Sequence, residues 1–211
     1  MRRRPPAALV APAVAVACAL GPPAVRADAL GGLDGRSADP IELPTLSAEV
    51  SWVADNDLAV LGARVNYKLD AVKVGFLTAG LTEFDESGAE GWILGAGLYY
   101  HLARQRVSEA IDLAVKPSVG YQSAEGNGAE VDGYVAALEF LASGGTTFPV
   151  NWYANLGIEY SYIDTNTDGD DGDVDGLLGA GVYAPVGPGQ FYTGFDYSGE
   201  FGIGAGYRLL F

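Results

Sequence analysis

The chain has 211 residues, 49% of them hydrophobic, with 12 Lys+Arg set against 27 Asp+Glu. That length suits a single domain, and a net charge of −15 argues against a nucleic-acid-binding face, because neutralising phosphates requires a basic surface. No uninterrupted apolar run reaches the roughly 18 residues that mark a membrane-spanning helix, so the apolar content is dispersed in short pieces.

Arg2, Arg3 and Arg4 precede an apolar run from Ala7 to Leu20, and the small residues Val25 and Ala27 stand just before Asp28. This layout predicts an export signal peptide over residues 1–27; a membrane anchor is the alternative, set against by the shortness of the run and by Pro12. Cys18, the only cysteine, lies inside the run, and Ala15-Val16-Ala17-Cys18 loosely fits a lipoprotein signal with Ala where Leu is usual. Cleavage after Ala27 would leave no disulfide and no thiolate metal site. It would also remove four of the 12 Lys+Arg and none of the 27 Asp+Glu, taking the net charge from −15 to −19. Residues 28–44, with Gly31, Gly32, Pro40 and Pro44, have no periodicity and read as a flexible segment.

From Thr45 onward the sequence alternates apolar with small or polar residues, and a period of two means strands. Ten segments are predicted, at about 45–54, 57–69, 72–82, 91–102, 110–122, 131–142, 150–162, 174–185, 190–197 and 200–211. Most match the roughly 9–11 residues that a tilted strand needs to cross a bilayer, and strands span lipid only as a closed barrel, since lipid satisfies no backbone polar group. The expected fold is all-β: a closed antiparallel transmembrane β-barrel over 45–211 with ten strands, or eight because the first and ninth segments are short.

The two faces separate. In the second segment Ala59, Leu61, Ala63, Val65, Tyr67 and Leu69 oppose Val60, Gly62, Arg64, Asn66 and Lys68; in the last, Phe201, Ile203, Ala205, Tyr207, Leu209 and Phe211 oppose Gly202, Gly204, Gly206, Arg208 and Leu210. One face suits lipid and the other a polar or glycine-lined lumen. Turning each polar face inward predicts a lumen charge network of Arg64, Lys68, Lys73, Lys116 and Arg208 against Glu49, Asp112, Glu139, Glu159 and Asp196, balanced because isolated buried charges are costly. Inward glycines, among them Gly62, Gly75, Gly95, Gly97, Gly157, Gly202, Gly204 and Gly206, would leave room in the lumen.

With the chain starting on the periplasmic side, the acidic long loops, including 83–90, 123–130 and 163–173, fall outside. Aromatics then form two girdles: Tyr67, Tyr100, Phe140, Trp152, Phe191 and Phe211 at the inner interface, and Trp52, Trp92, Tyr121, Tyr134, Tyr160, Phe195 and Phe201 at the outer one. In the longest acidic loop, DTNTDGDDGDVDG, residues Asp164, Asn166, Asp168 and Gly169 match the spacing of a calcium loop, with Asp170 nearby and Asp175 at the twelfth position. These five oxygen-bearing residues are a candidate Ca²⁺ site, read against the chance match that any acidic loop offers; no other cofactor is expected. His101 is the only histidine and falls at the periplasmic end of the fourth segment, where an interface role outweighs catalysis.

The terminal GIGAGYRLLF resembles the last strand of Gram-negative outer-membrane β-barrel proteins of the porin and OmpA-transmembrane-domain type, which end in Phe after alternating apolar residues. The resemblance implies that Tyr207, Leu209 and Phe211 form the signal read by the barrel assembly machinery, and that the other partners are outer-membrane lipid and lipopolysaccharide. The segment GLLGAGVYAPVGPG after the acidic loop is similar to segments of small YfaZ-like outer-membrane proteins. The expected function is a non-enzymatic barrel of the cell outer membrane, structural or narrow-channel in type; the alternative is a surface binding or adhesive barrel acting through acidic loops.

Overall fold

The computed structural model describes residues 45–55, 58–84, 89–104, 111–126, 129–145, 149–165 and 169–211; the signal-peptide and flexible-segment expectations for residues 1–44 lie outside them. Ten strands follow one another along the chain: β1 (Leu46–Ala54), β2 (Leu58–Lys68), β3 (Lys73–Phe84), β4 (Ala89–Arg104), β5 (Ile111–Gly126), β6 (Ala129–Gly145), β7 (Asn151–Thr165), β8 (Gly169–Val186), β9 (Gly189–Ser198) and β10 (Glu200–Leu210). Each pairs antiparallel with its sequence neighbours, and β1 closes the barrel on β10. The seam ends with the Phe211 N–H donating to the Leu46 carbonyl at 3.1 Å. All ten predicted strands are present, the short first and ninth included.

The strand ends differ from the reading of the sequence, most of all at the rim where β1 finishes and β2 begins, termed the upper rim. Only residues 127–128 separate β5 from β6, and only 166–168 separate β7 from β8. Most of DTNTDGDDGDVDG is therefore strand, with Asp164 opposite Asp170 and Glu159 opposite Asp175. Apolar alternation reports only the part of a strand that needs an apolar face. Once a hairpin is aligned its hydrogen-bond ladder continues through polar residues until a short turn, so the hairpins outrun the signal.

At the opposite, lower rim, Gly187 and Pro188 connect β8 to β9 in two residues. Gly187 has φ +58°, which glycine adopts without strain, and the fixed negative φ of proline suits the second turn position. Tyr207 anchors this turn by donating its hydroxyl to the Val186 carbonyl at 2.7 Å. A register shift between His101 and Ala103 in β4 marks a β-bulge at the lower rim.

The barrel is inverted relative to a soluble one. Thirty-three large hydrophobic side chains are exposed on the described surface, from Leu46 on β1 to Phe211 after β10. They form the outer faces that alternation predicts, including Leu61, Val65 and Tyr67 on β2 and Leu156, Ile158 and Tyr160 on β7. The buried set inside the barrel holds ions, amides and hydroxyls beside apolar clusters. A continuous apolar ring of this size far exceeds the few hundred Å² that soluble surfaces tolerate.

Candidate functional site

The barrel interior is where the chemistry collects. Glu49 on β1 stands in register with Arg64 on β2 and Arg208 on β10, so strand alternation alone brings one carboxylate between two guanidinium-bearing positions. The Arg208 Nη2 lies 3.1 Å from Glu49 Oε2, and both side chains are almost fully buried. Asn66 donates to Glu49 Oε1, and the Tyr192 hydroxyl donates to Oε2 at 3.3 Å. Arg208 Nη1 also donates to Gln190 Oε1 at 3.0 Å, and its guanidinium lies 5.5 Å from the Tyr192 ring centre. Arg64 donates to the Tyr99 hydroxyl at 2.9 Å and lies over the Phe76 ring at 4.8 Å. Buried ions persist when opposite charges and hydrogen-bond partners are close, and side chains of six strands, β1, β2, β3, β4, β9 and β10, supply such contacts to this cluster.

Across the barrel, Lys116 on β5 and Glu139 on β6 are register partners and form an ion pair, and Asn155 on β7 donates to Glu139 Oε2 at 2.7 Å. Asp112, Glu159 and Asp196 are buried on the same inner surface. Lys68 is inward and half-buried at the lower end of β2.

Lys73 corrects the expectation. On β3 it is Val74, Phe76, Thr78 and Thr82 that are buried, which places Lys73 and Gly75 on the outward face with Leu77. Val74 and Phe76 pack with Tyr99, Ala114 and Leu141, and that packing sets the strand's parity. Lys73 instead pairs with Asp70 at 3.5 Å in the exposed lower turn. The backbone N–H of Val72, at 2.8 Å, holds the Asp70 carboxyl below its ordinary pKa, with Lys73 adding to the effect. Among the described residues, the predicted balance of five against five becomes five buried acids against three buried bases, Arg64, Lys116 and Arg208.

The lumen is also more apolar than its polar-face reading. Leu58, Val60, Ile93, Ala124, Val131, Val135 and Ile163 form one buried cluster below the upper rim. Val53, Tyr153, Tyr183 and Tyr192 form another. The inward glycines make room for these rings. A Cβ on Gly97 would run into the Phe76 ring, and one on Gly206 into the Tyr192 ring. Tyr153 is seated in the same way over Gly181 and Gly194.

The calcium set is not gathered at one point. Asp164 sits opposite Asp170, whereas Asp175 sits opposite Glu159, five residues further along β7. At about 3.3 Å per residue this separates Asp164 from Asp175 by roughly 16 Å, against calcium–oxygen distances of about 2.4 Å. Asn166 and Asp168 lie outside the described residues. Among the described residues no three His, Cys, Asp or Glu side chains are grouped to hold a metal ion. His101 is half-buried beside the β4 bulge.

Of the predicted girdles, Trp92, Tyr121 and Tyr134 form a contiguous row with ring centres 5.4 and 5.0 Å apart, and Phe195 stacks on Phe201 at 5.1 Å. Tyr207, Leu209 and Phe211 share the outward face of the last strand.

No protein-family model matches the chain, and no curated protein matches it either. Among solved structures, it is similar to the translocator domain of the autotransporter NalP from Neisseria meningitidis, with 12% identity over 79% of this chain and 87% of that one, at a TM-score of 0.40. It is also similar to Neisserial surface protein A, with 14% identity over 79% of this chain and 96% of that one, at a TM-score of 0.38. A third, Ail, the attachment invasion locus protein of Yersinia pestis, shares 14% identity over 79% of this chain and 100% of that one, at a TM-score of 0.31.

Proposed function

We propose that the chain is a non-enzymatic integral β-barrel of the cell outer membrane, and that its interior is sealed, making it a structural surface protein and not an open channel. The carrying observation is the inverted packing: an apolar ring outside, and inside it an aliphatic cluster stacked above an ion and tyrosine cluster. The outer ring requires hydrocarbon. In the interior, water would have to pass both Ile93 with its aliphatic neighbours and the Tyr192–Arg208–Glu49 group, whose Tyr192 ring fills the space over Gly206. Small barrels have interiors that side chains can fill, and ten strands are near that limit. Purified, refolded protein in planar bilayers should show no unitary conductance steps, while migrating faster unheated than boiled on a gel. Regular steps from protein that passes the gel test would reject the seal.

A second reading, surface binding, is favoured by the axial distribution of charge. Every described Lys and Arg lies inside the barrel or toward the lower rim, whereas Glu83, Glu90, Glu125, Asp164 and Asp173 are exposed toward the upper rim. A surface without cations could approach lipopolysaccharide phosphates only through divalent bridges. Co-purification of lipopolysaccharide that survives chelation with EDTA would reject this bridge.

A further inference from the structure

The acidic run acquires a different role once its place in the barrel is known. β9 meets β8 only from Leu177, opposite Ser198, after which the chain turns at Gly199, φ +78°, into β10. β8 begins eight residues earlier, at Gly169, and this upper part is in register with β7 alone. Among the described residues no strand pairs with its other side. The barrel therefore carries an open strand edge of about 26 Å, standing above the shorter β9–β10 wall.

An edge whose N–H and C=O groups face no neighbouring strand is a template for another strand. Such edges associate unless something opposes it, and the composition of this one opposes it. Residues 169–176 read GDDGDVDG: four Asp, three Gly and one apolar side chain. Val174 N–H, exposed, is taken by the Asp173 carboxylate at 2.7 Å and not by a strand. The sequence is also poor in β-formers, which a paired strand would favour.

We propose that the Asp run is an electrostatic guard that keeps the open edge of β8 from pairing, and that the partner it excludes is the same edge of a second copy. Two such edges meeting side by side in copies inserted in the same direction would run parallel about a two-fold axis, placing four Asp of one copy beside four of the other, with no Lys or Arg of the described upper rim to offset them. Asp173 contributes twice, as charge and as a cap on the N–H that a pairing strand would need. The ligand-like spacing of this stretch is then a by-product of frequent Asp and Gly at an edge.

The test uses the full mature barrel, refolded in detergent and confirmed by heat-modifiable mobility. Asp170→Asn, Asp171→Asn and Asp173→Ala together remove three charges and the cap. This variant should sediment at twice the protein mass or more at concentrations where the unaltered protein is monomeric. A control with Glu90→Gln, Glu125→Gln and Asp164→Asn removes as many charges from the paired part of the same rim and should stay monomeric. Adding Val174→Pro to the first variant deletes the edge donor without touching the β7 ladder and should restore the monomer. A folded triple variant that stays monomeric overturns the guard. So does association of the control to the same extent, or association that persists with the proline.

Discussion

The two sides of the barrel solve different problems. β9, β10, β1 and β2 are 9–11 residues long, while β4 to β8 run to 15–18. The short wall has the length that lipid requires and little more. It holds the Glu49–Arg208 pair, and Arg64, Asn66, Gln190 and Tyr192 gather around that pair from the same four strands. The tall wall holds the Lys116–Glu139–Asn155 group, also buries Asp112 and Glu159, and places its additional residues above the lipid, where the outer surface turns acidic. The difference teaches that strand length beyond the bilayer is set by hairpin pairing, whereas charge inside is set by which strands are close enough to share one carboxylate.

The largest effect should come from breaking the short wall's centre. Glu49→Ala leaves Arg208 fully buried beside Tyr192 without its carboxylate, and breaking one partner of a buried pair costs about 3–5 kcal/mol. Urea unfolding in lipid vesicles, followed by fluorescence of the three Trp, should show that loss. The combined Glu49→Leu and Arg208→Met variant should recover most of it, since apolar replacement of both partners is often neutral. A double variant as unstable as the single would show that the pair itself, and not the orphaned charge, carries the stability. Lys116→Met should fall below the Glu49 effect, because Glu139 keeps the Asn155 amide.

Next in size is the lipid-facing surface of the tall wall. Leu156 on β7 is 60% exposed in the middle of the apolar band. Leu156→Arg should destabilise the barrel in vesicles by about 2–4 kcal/mol, the cost of a cation on the lipid face near the bilayer midplane. A value near zero would mean that this face does not meet lipid.

The outward faces are legible in the sequence because period two and lipid contact coincide on them. In β10, Phe201, Ile203 and Leu209 declare one face against Gly202, Gly204 and Arg208 with no ambiguity. The interior is legible only for its charges. Val60 between Ala59 and Leu61, and Ile93 between Trp92 and Leu94, are apolar on both faces, and this doubled pattern is the available sign of an apolar cluster inside the upper rim. β3 escapes the pattern for the same reason: Val74 and Phe76 are as apolar as Leu77, so Lys73 draws the polar face the wrong way. That glycines seat rings cannot be read along the chain at all. Gly206 is filled by Tyr192 from a neighbouring strand, and that pairing depends on the closed register.

The smallest effect sharpens where the tall wall leaves the lipid. Val174 on β8 is more exposed than Leu156, at 64%, and lies opposite the girdle residue Tyr160. Hydropathy alone would give Val174→Arg a cost similar to that of Leu156→Arg. Position gives it about 0–1 kcal/mol, because the cost of a lipid-facing cation falls away at the interface. The introduced guanidinium would also stand next to the Asp173 carboxylate on an edge otherwise devoid of cations, which offsets part of what remains. The same urea titration in vesicles measures both variants. A large loss at Val174 would move the membrane boundary up to the open edge of β8 and bring the acids of that edge into contact with lipid. A loss below about 1 kcal/mol places Tyr160 at the boundary and leaves the Asp run in water, where charge can act between copies of the chain.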